Sequence, residues 1–303
     1  MLLKIITAIR PINLLVVALT FYVLYQLDIQ SREFVSKTFL INIINLKFLT
    51  IATILIAAAG YLINDYYDKE TDSINKPNRK NNLSKNVILV TYILLNAIAL
   101  ILSFSFTSNS VLTWIFPFST LLLWLYSYKL KGLPFIGNLS IAVLSATIPL
   151  IYFITMNSNN IDCQTPFPQI TATAIILTFS ALAFFSTFSR EIVKDIEDLE
   201  GDTATGLKTI PIVLGKTTAK VFTIFFLIIT LLILGLLVKE KDYFNFSVTS
   251  LITVGLFGFI PLLLAISKTF QGKEKKHFKQ AGNLIKIGMF GFLLFIYIHA
   301  ITI

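Results

Sequence analysis

The pattern of residues best suited to chemistry is a spacing of aspartates that occurs twice in the chain. The two copies, each residue recurring 130 positions later, are Asp65, Asp68 and Asp72, and Asp195, Asp198 and Asp202. Clustered carboxylates repel one another and cannot all stay ionised without a counter-charge. Mg²⁺ supplies it, because it accepts oxygen ligands and bridges one or two carboxylates to substrate phosphates. The repeated spacing therefore predicts an enzyme with a two-sided site for two Mg²⁺ ions and a polyphosphate.

Helical periodicity indicates which polar side chains share a face with these aspartates. At roughly 100° per residue, a helix through the first motif places Asn64 with its three aspartates. A helix through the second motif groups its three aspartates within roughly 60° and adds Glu191 to the same face. Three nearby glutamates point away from these faces, namely Glu70, Glu197 and Glu200. Gly201 is a potential early end of the second helix, which leaves the direction of Asp202 open.

The rest of the chain is typical of an integral membrane protein. Hydrophobic residues make up 55% of its 303 residues and charged residues only 14%. Nine long stretches carry few or no charges, and in lipid such segments form helices that satisfy their own backbone groups. They are 11–27, 48–63, 87–106, 111–128, 134–155, 169–189, 221–238, 243–267 and 287–303. We expect an all-α membrane protein with about nine transmembrane helices around a central cavity, forming a single domain over 1–303. The first stretch resembles a signal peptide, but it lacks a small-residue cleavage site and is interpreted as a retained helix.

Basic residues predict the orientation. The segments expected on the inner side are 1–10, 64–86, 129–133, 190–220 and 268–286, and they hold 20 of the 25 Lys and Arg residues. This bias predicts a cytoplasmic N-terminus, location in the cell (inner) membrane, and an active site on the cytoplasmic side. Within the last of these segments, the loop Lys273-Glu274-Lys275-Lys276-His277 is interpreted as a solvated basic anchor. The surplus of positive charge suits lipid headgroups and phosphate substrates, and no nucleic-acid partner is expected.

The two motifs fall at the inner ends of the second and sixth spans, which suggests two similar four-helix halves followed by a ninth helix. Four basic residues lie close enough in sequence to neutralise a bound diphosphate, namely Arg79, Lys129, Lys194 and Lys208. The 27 Phe, 11 Tyr and 2 Trp residues could line an oily cavity and stabilise a carbocation through cation–π attraction. Together these features indicate ionisation of a prenyl diphosphate and capture of the allylic cation by a lipid-soluble acceptor.

These segments resemble the UbiA superfamily of intramembrane prenyltransferases. Residues 64–72 match its first motif, N-D-x-x-D-x-x-x-D, and residues 190–202, R-E-I-V-K-D-I-E-D-L-E-G-D, match its second. Further similarities are Arg10-Pro11-x-Asn13, Tyr126-x-Tyr128-Lys129 and Gly206-x-Lys208-Thr209-x-Pro211. Within the superfamily, the second motif most resembles the geranylgeranylglycerol-phosphate geranylgeranyltransferases. That resemblance implies Mg²⁺-dependent transfer of a geranylgeranyl group to the hydroxyl of geranylgeranylglyceryl phosphate.

The resemblance also implies roles for individual residues. Metal and diphosphate binding would fall to Asn64, Asp68, Asp72, Asp195, Asp198 and Asp202, with Asp65 in support. Among these, Asp68, Asp72, Asp198 and Asp202 are the expected catalytic residues. Substrate contacts would come from Asn13, Arg79, Lys129, Lys194 and Lys208, with Tyr126 at the cavity rim. The chain departs from the family after the first motif, where residues 75–84 lack a Pro-Ile pair and a glycine that many relatives have.

Three other functions compete with this interpretation. Within the same class, the acceptor could be an aromatic quinone or tetrapyrrole precursor. A cation transporter is a different class, but transport sites usually lie near the membrane midplane on broken helices. These aspartates lie at one face, and the predicted spans contain no charged residue. A metal-dependent diphosphate hydrolase would release free prenol without an acceptor.

Overall fold

The structure is a computed structural model that describes residues 2–30, 37–75, 83–107, 109–157 and 167–302. Nearly all of these residues are helical, and within these ranges there is no β-strand. The α-helices, in chain order, are α1 Leu2–Ala8, α2 Pro11–Gln30, α3 Lys37–Tyr67, α4 Lys69–Asn75, α5 Lys85–Phe106, α6 Ser110–Tyr128, α7 Ile136–Asn157, α8 Phe167–Glu197, α9 Leu199–Ala204, α10 Ile210–Val213, α11 Lys216–Lys239, α12 Lys241–Phe244, α13 Val248–Thr253, α14 Ile260–Gln271 and α15 Lys275–Thr302. A 3₁₀ turn, Leu130–Gly132, follows α6, and a π-helical stretch, Val254–Phe259, joins α13 to α14.

Nine segments in the described part of the chain are long and apolar enough to cross a membrane, which confirms the predicted number. They are Pro11–Gln30, Leu40–Tyr67, Lys85–Phe106, Ser110–Tyr128, Ile136–Asn157, Thr171–Glu197, Lys216–Lys239, Val248–Gln271 and Lys275–Thr302. Large apolar side chains on their outer faces are exposed, such as Trp114 at 71% and Ile101 at 65%. Such a surface suits lipid, because the helical backbone leaves no unpaired polar group toward the hydrocarbon.

Two boundaries differ from the prediction in a way that matters for function. The second span extends to Tyr67, so its helix carries the first aspartate of the motif, Asp65. Most of the predicted inner segment 268–286 is helical, and only residues 272–274 lie between α14 and α15. Its second half is the start of α15, which begins at Lys275. Lysine is a good helix former, so the charges that suggested a loop are compatible with a helix.

The helices close into a ring of which α8 is a member. Helix α8 packs against α7, α11 and α15, while α2 packs against α3, α7 and α15, so the last span meets the first. The largest side chains that are fully buried in this packing include Tyr152, Phe116 and Phe292. This closure places the ends of α3 and α8, which carry the two motifs, on the same side of the bundle.

Candidate active site

Each aspartate motif lies at a break between a long helix and a short one. Helix α3 ends at Tyr67 and α4 begins at Lys69, while α8 ends at Glu197 and α9 begins at Leu199. The residue at each break is the middle aspartate, Asp68 or Asp198. The backbone N–H of Asp68 still donates to Asn64 O at 2.9 Å, and that of Asp198 donates to Lys194 O at 2.8 Å. The expected uninterrupted helices are thus bent at matching positions, which turns α4 and α9 toward each other.

Asn75, the last residue of α4, joins the two motifs. Its side-chain amide donates to Asp198 O at 3.1 Å and accepts from the N–H of Gly201 at 3.0 Å. A Cβ at Gly201 would lie 2.5 Å from Asn75 Nδ2, so only glycine allows this approach. A second link runs between the hydroxyls of Thr71 and Thr205, at 3.3 Å. The short helices therefore hold the two acidic motifs in direct contact.

The first motif is surrounded by polar partners. Asn64 Nδ2 donates to Asp68 Oδ2 at 2.7 Å, and Lys131 Nζ lies 2.5 Å from the same oxygen. Arg10 forms a salt bridge with Asp65 at 3.1 Å and stacks over the ring of Tyr61 at 4.6 Å. The 3₁₀ turn that contains Lys131 folds its amine back toward the helix end. Asp68 is thus held between a donor amide and a cation.

The second motif contains carboxylate oxygens that lack a donor. Asp195 accepts from Asn138 Nδ2 at 2.8 Å. Asp198 and Asp202 are both buried, and one oxygen of each, Oδ1, has no hydrogen-bond partner among the described residues. Buried polar atoms are nearly always paired, so unpaired carboxylate oxygens are sites where a cation is expected.

Electrostatics couple the two motifs. The pKa of Asp202 is raised to about 6, mainly by burial and also by the neighbouring carboxylates of Asp198 and Asp68, against the lowering effect of Lys131 and Lys194. Burial alone would lower the pKa of Lys131, but the carboxylate of Asp68 outweighs this and the pKa is raised. Lys131 therefore stays charged. The carboxylate of Asp68 in the first motif raises the pKa of Asp202 in the second, so the two motifs interact electrostatically.

A third cluster lies one helical turn before the second motif. Arg190 donates to Glu191 at 2.6 Å, and Lys194 lies 3.7 Å from the other oxygen of that carboxylate. Glu191 was expected on the face of the aspartates, and its carboxylate is occupied by these two cations. It is therefore committed to basic partners on its own helix.

Residues 34–284 match the model of the UbiA prenyltransferase family. The chain belongs to that family. It is 31% identical over 256 residues to the digeranylgeranylglyceryl phosphate synthase of Thermococcus gammatolerans, covering 82% of this chain and 83% of that protein. It is therefore an integral membrane prenyltransferase, and the predicted enzyme class is confirmed.

Solved structures share the UbiA fold with this chain. One, described as giving insights into the biosynthesis of digeranylgeranylglyceryl phosphate synthase in membranes, has a TM-score of 0.67 and 24% identity and covers 100% of this chain and 99% of that one. Another, a UbiA homologue from Archaeoglobus fulgidus bound to DMAPP and Mg²⁺, has a TM-score of 0.51 and 14% identity and covers 99% and 100% of the two chains. At these identities the likeness concerns the fold.

The structure of this UbiA-family chain distributes the predicted substrate contacts unevenly. Tyr126 is buried at the end of α6, with Asp68 and Asp195 among its charged neighbours. Lys129 and Lys208 are exposed, and only the backbone N–H of Lys208 reaches the region, where it donates to Gly132 O at 3.0 Å. Asn13 is half-buried one turn beyond Arg10. Arg79 lies outside the described residues. Asp72 is half-buried in α4.

Four residues in contact with the motifs were missing from the predicted site, namely Arg10, Asn75, Lys131 and Asn138. Only Arg10 and Asn75 belong to segments that were compared with the family, and the position of each side chain depends on tertiary structure. Lys131, in the 3₁₀ turn after α6, contacts Asp68, whereas Lys129 is exposed. A basic pair two residues apart was the only available signal.

Proposed function

We propose that this UbiA-family enzyme transfers a geranylgeranyl group from its diphosphate to the hydroxyl of geranylgeranylglyceryl phosphate. The observation that carries the diphosphate half of this proposal is the contact between the two motifs through Asn75, which assembles both acidic clusters around Lys131. The similarity to digeranylgeranylglyceryl phosphate synthases supports the acceptor.

The unpaired oxygens of Asp198 and Asp202 fit a divalent cation. Within the described ranges, no three acidic, histidine or cysteine side chains already converge into a metal cluster, so substrate oxygens would complete the coordination. We propose that two Mg²⁺ ions are held by Asn64, Asp68, Asp72, Asp195, Asp198 and Asp202. Bound there, Mg²⁺ would supply charge neutralisation at the departing diphosphate.

The chain's own side chains orient the reactants. Asn64 fixes the carboxylate of Asp68 through its 2.7 Å hydrogen bond, and Asn138 does the same for Asp195 at 2.8 Å. Lys131 keeps its charge, and its amine can exchange its contact with Asp68 for one with a phosphate oxygen. The amine of Lys194 can exchange its contact with Glu191 in the same way. Such preorganised cations stabilise charge where it develops.

In the proposed reaction the bond between the allylic carbon and the diphosphate oxygen breaks, and its electron pair leaves with the diphosphate. The acceptor hydroxyl oxygen then forms the new ether bond to that carbon, and its proton goes to the released diphosphate. Asp65 supports the site through its salt bridge to Arg10, and Tyr126 lies beside it at the end of α6.

We further propose that 1–303 forms a single domain, that the N-terminus and this site face the cytoplasm, and that the enzyme resides in the cell (inner) membrane. The positive charge of the segments near the motifs supports this orientation. The acceptor is a lipid-soluble molecule that enters from the bilayer.

An acceptor panel tests the proposal. Purified enzyme receives labelled geranylgeranyl diphosphate with Mg²⁺ and, separately, geranylgeranylglyceryl phosphate, an aromatic acid or no acceptor. We expect ether product only with the glycerol phosphate lipid. Transfer confined to the aromatic acid would refute the acceptor, and prenol release independent of any acceptor would indicate a hydrolase. An active-site variant, Asp198→Asn, serves as the blank.

A further inference from the structure

A polar cavity lies between the end of α8 and the first half of α15. Its polar lining consists of Arg190, Lys194, Glu197, Lys279, Asn283 and Lys286, and its volume is about 50 Å³. A buried water needs roughly 10–15 Å³, so the cavity admits a group of several heavy atoms such as a phosphate.

The lining is strongly basic, with four cations and a single carboxylate. Glu191 offsets Arg190 and Lys194, at 2.6 and 3.7 Å. Lys279 and Lys286 form no salt bridge within the part of the chain that the structure describes. Like charges gathered around one cavity disfavour one another and attract an anion. The two lysines of α15, both exposed, are therefore available as donors on the wall of this space.

Lys286 lies eleven residues after the first residue of α15, or roughly 16 Å along the helix, at the polar end of its apolar stretch 287–302. Lys279 precedes it by two helical turns and so lies on the same face of α15. Both lysines are exposed, so a ligand at this cavity can reach them.

The cavity adjoins the diphosphate site through α8. Arg190 and Lys194 lie on a helix face roughly 90° from the face that carries Asp195 and Asp198. Lys194 lies near the boundary, where it approaches Glu191. An anion in the cavity would thus be separated from the diphosphate site by the side chains of one helix.

We infer that this cavity binds the phosphate monoester of the acceptor lipid, with Lys279 and Lys286 determining specificity for it. The inference rests on the proposed function, which requires an acceptor with its own phosphate beside the diphosphate site. A monoester phosphate matches the donors, because it offers three oxygens and a double negative charge to lysine and amide groups. Its anchoring would direct the rest of the acceptor toward the motifs.

The test compares a double variant, Lys279→Gln/Lys286→Gln, with the wild type in neutral detergent. Initial rates are measured with labelled geranylgeranyl diphosphate and either geranylgeranylglyceryl phosphate or its dephosphorylated alcohol. We expect the KM for the phosphorylated acceptor to rise about tenfold or more, because charge-assisted hydrogen bonds are lost. The preference over the alcohol should fall by the same factor, and the KM for the donor should stay within about twofold, which also shows that the variant is folded.

The control is Lys276→Gln, which removes one positive charge from the same helix, against two in the double variant. Lys276 is exposed and pairs with Glu274 at 2.8 Å, outside the cavity. Its acceptor KM should equal that of the wild type. Lys286→Arg keeps the charge, and an unchanged acceptor KM in this variant would support a direct phosphate contact.

The outcomes separate this inference from the proposed function. If the wild type uses the phosphorylated acceptor but the double variant keeps its KM within twofold, the cavity assignment is wrong and the function stands. If phosphatidylglycerol competes with the acceptor as well as a phosphate monoester lipid does, the cavity is a general anionic-lipid site and the assignment is also wrong. If the wild type transfers nothing to the phosphorylated acceptor, the proposed function is wrong and the inference falls with it.

Discussion

Replacement of Asn75 by alanine should separate the two halves of the site while leaving every carboxylate in place. Asn75 is 8% exposed, and its amide makes both hydrogen bonds that tie α4 to the break in α8. The change removes no charge and no proposed ligand. Any loss of activity then reports the distance and orientation between the motifs.

The two lost hydrogen bonds differ in energy. The buried N–H of Gly201 loses its hydrogen bond to the side chain of Asn75, which costs about 1–3 kcal/mol. The carbonyl of Asp198 still accepts from the N–H of Asp202 at 3.1 Å, so its loss is nearer the net value of about 0.5–1.5 kcal/mol. The sum is about 1.5–4.5 kcal/mol. If all of it raises the activation barrier, kcat/KM decreases by between about tenfold and about two-thousandfold.

The assay is kcat/KM for prenyl transfer at saturating Mg²⁺, with Ser73→Ala as the matched control. Ser73 lies on the same short helix, is exposed, and bonds only within it, to Glu70 O at 2.6 Å. The control should retain activity within about twofold. An Asn75→Ala enzyme with wild-type kcat/KM would show that the contact between α4 and α9 does not assemble the site, and the reasoning would be refuted.

Two further predictions follow from contacts at the same site. Lys131→Gln should lower kcat/KM by about tenfold or more, because a charge-assisted hydrogen bond near the diphosphate is lost. Lys129 is an exposed residue two positions away, and Lys129→Gln should change kcat/KM less than about twofold. Equal effects of the two variants would show that proximity to Asp68 is unimportant. Gly201→Ala should reduce kcat/KM about as much as Asn75→Ala, since the added Cβ would lie 2.5 Å from the amide of Asn75, and the double variant should be no worse than either single one; additive losses would contradict a shared contact.

The features that recur in the sequence were the predictable ones. The nine spans follow from the absence of charge over long stretches, and the two aspartate motifs follow from a spacing that recurs unchanged. Both signals are local, so they survive without knowledge of the packing. Even the location of the breaks at Asp68 and Asp198 repeats between the halves, although the spacing alone gave no sign of it.

The features that arise from contacts between distant segments were not predictable. Asn75 is separated from Gly201 by 126 positions, and neither residue type is distinctive by itself. Lys131 rather than Lys129 reaches Asp68 because a 3₁₀ turn reverses the chain between them. The lysines of α15 were assigned to a loop, because a high density of charge is typical of loops between membrane spans. Their helical conformation depends on packing that the sequence does not show.

The central claim is that both motifs together hold Mg²⁺ and the prenyl diphosphate. Calorimetric binding of the unreactive analogue geranylgeranyl thiodiphosphate tests it most directly, with wild type, Asp198→Asn and the exposed-carboxylate control Glu200→Gln. We predict that wild type and Glu200→Gln bind the analogue only when Mg²⁺ is present, and that Asp198→Asn binds at least about tenfold more weakly. Binding of equal affinity in excess chelator, or in Asp198→Asn, would contradict the account.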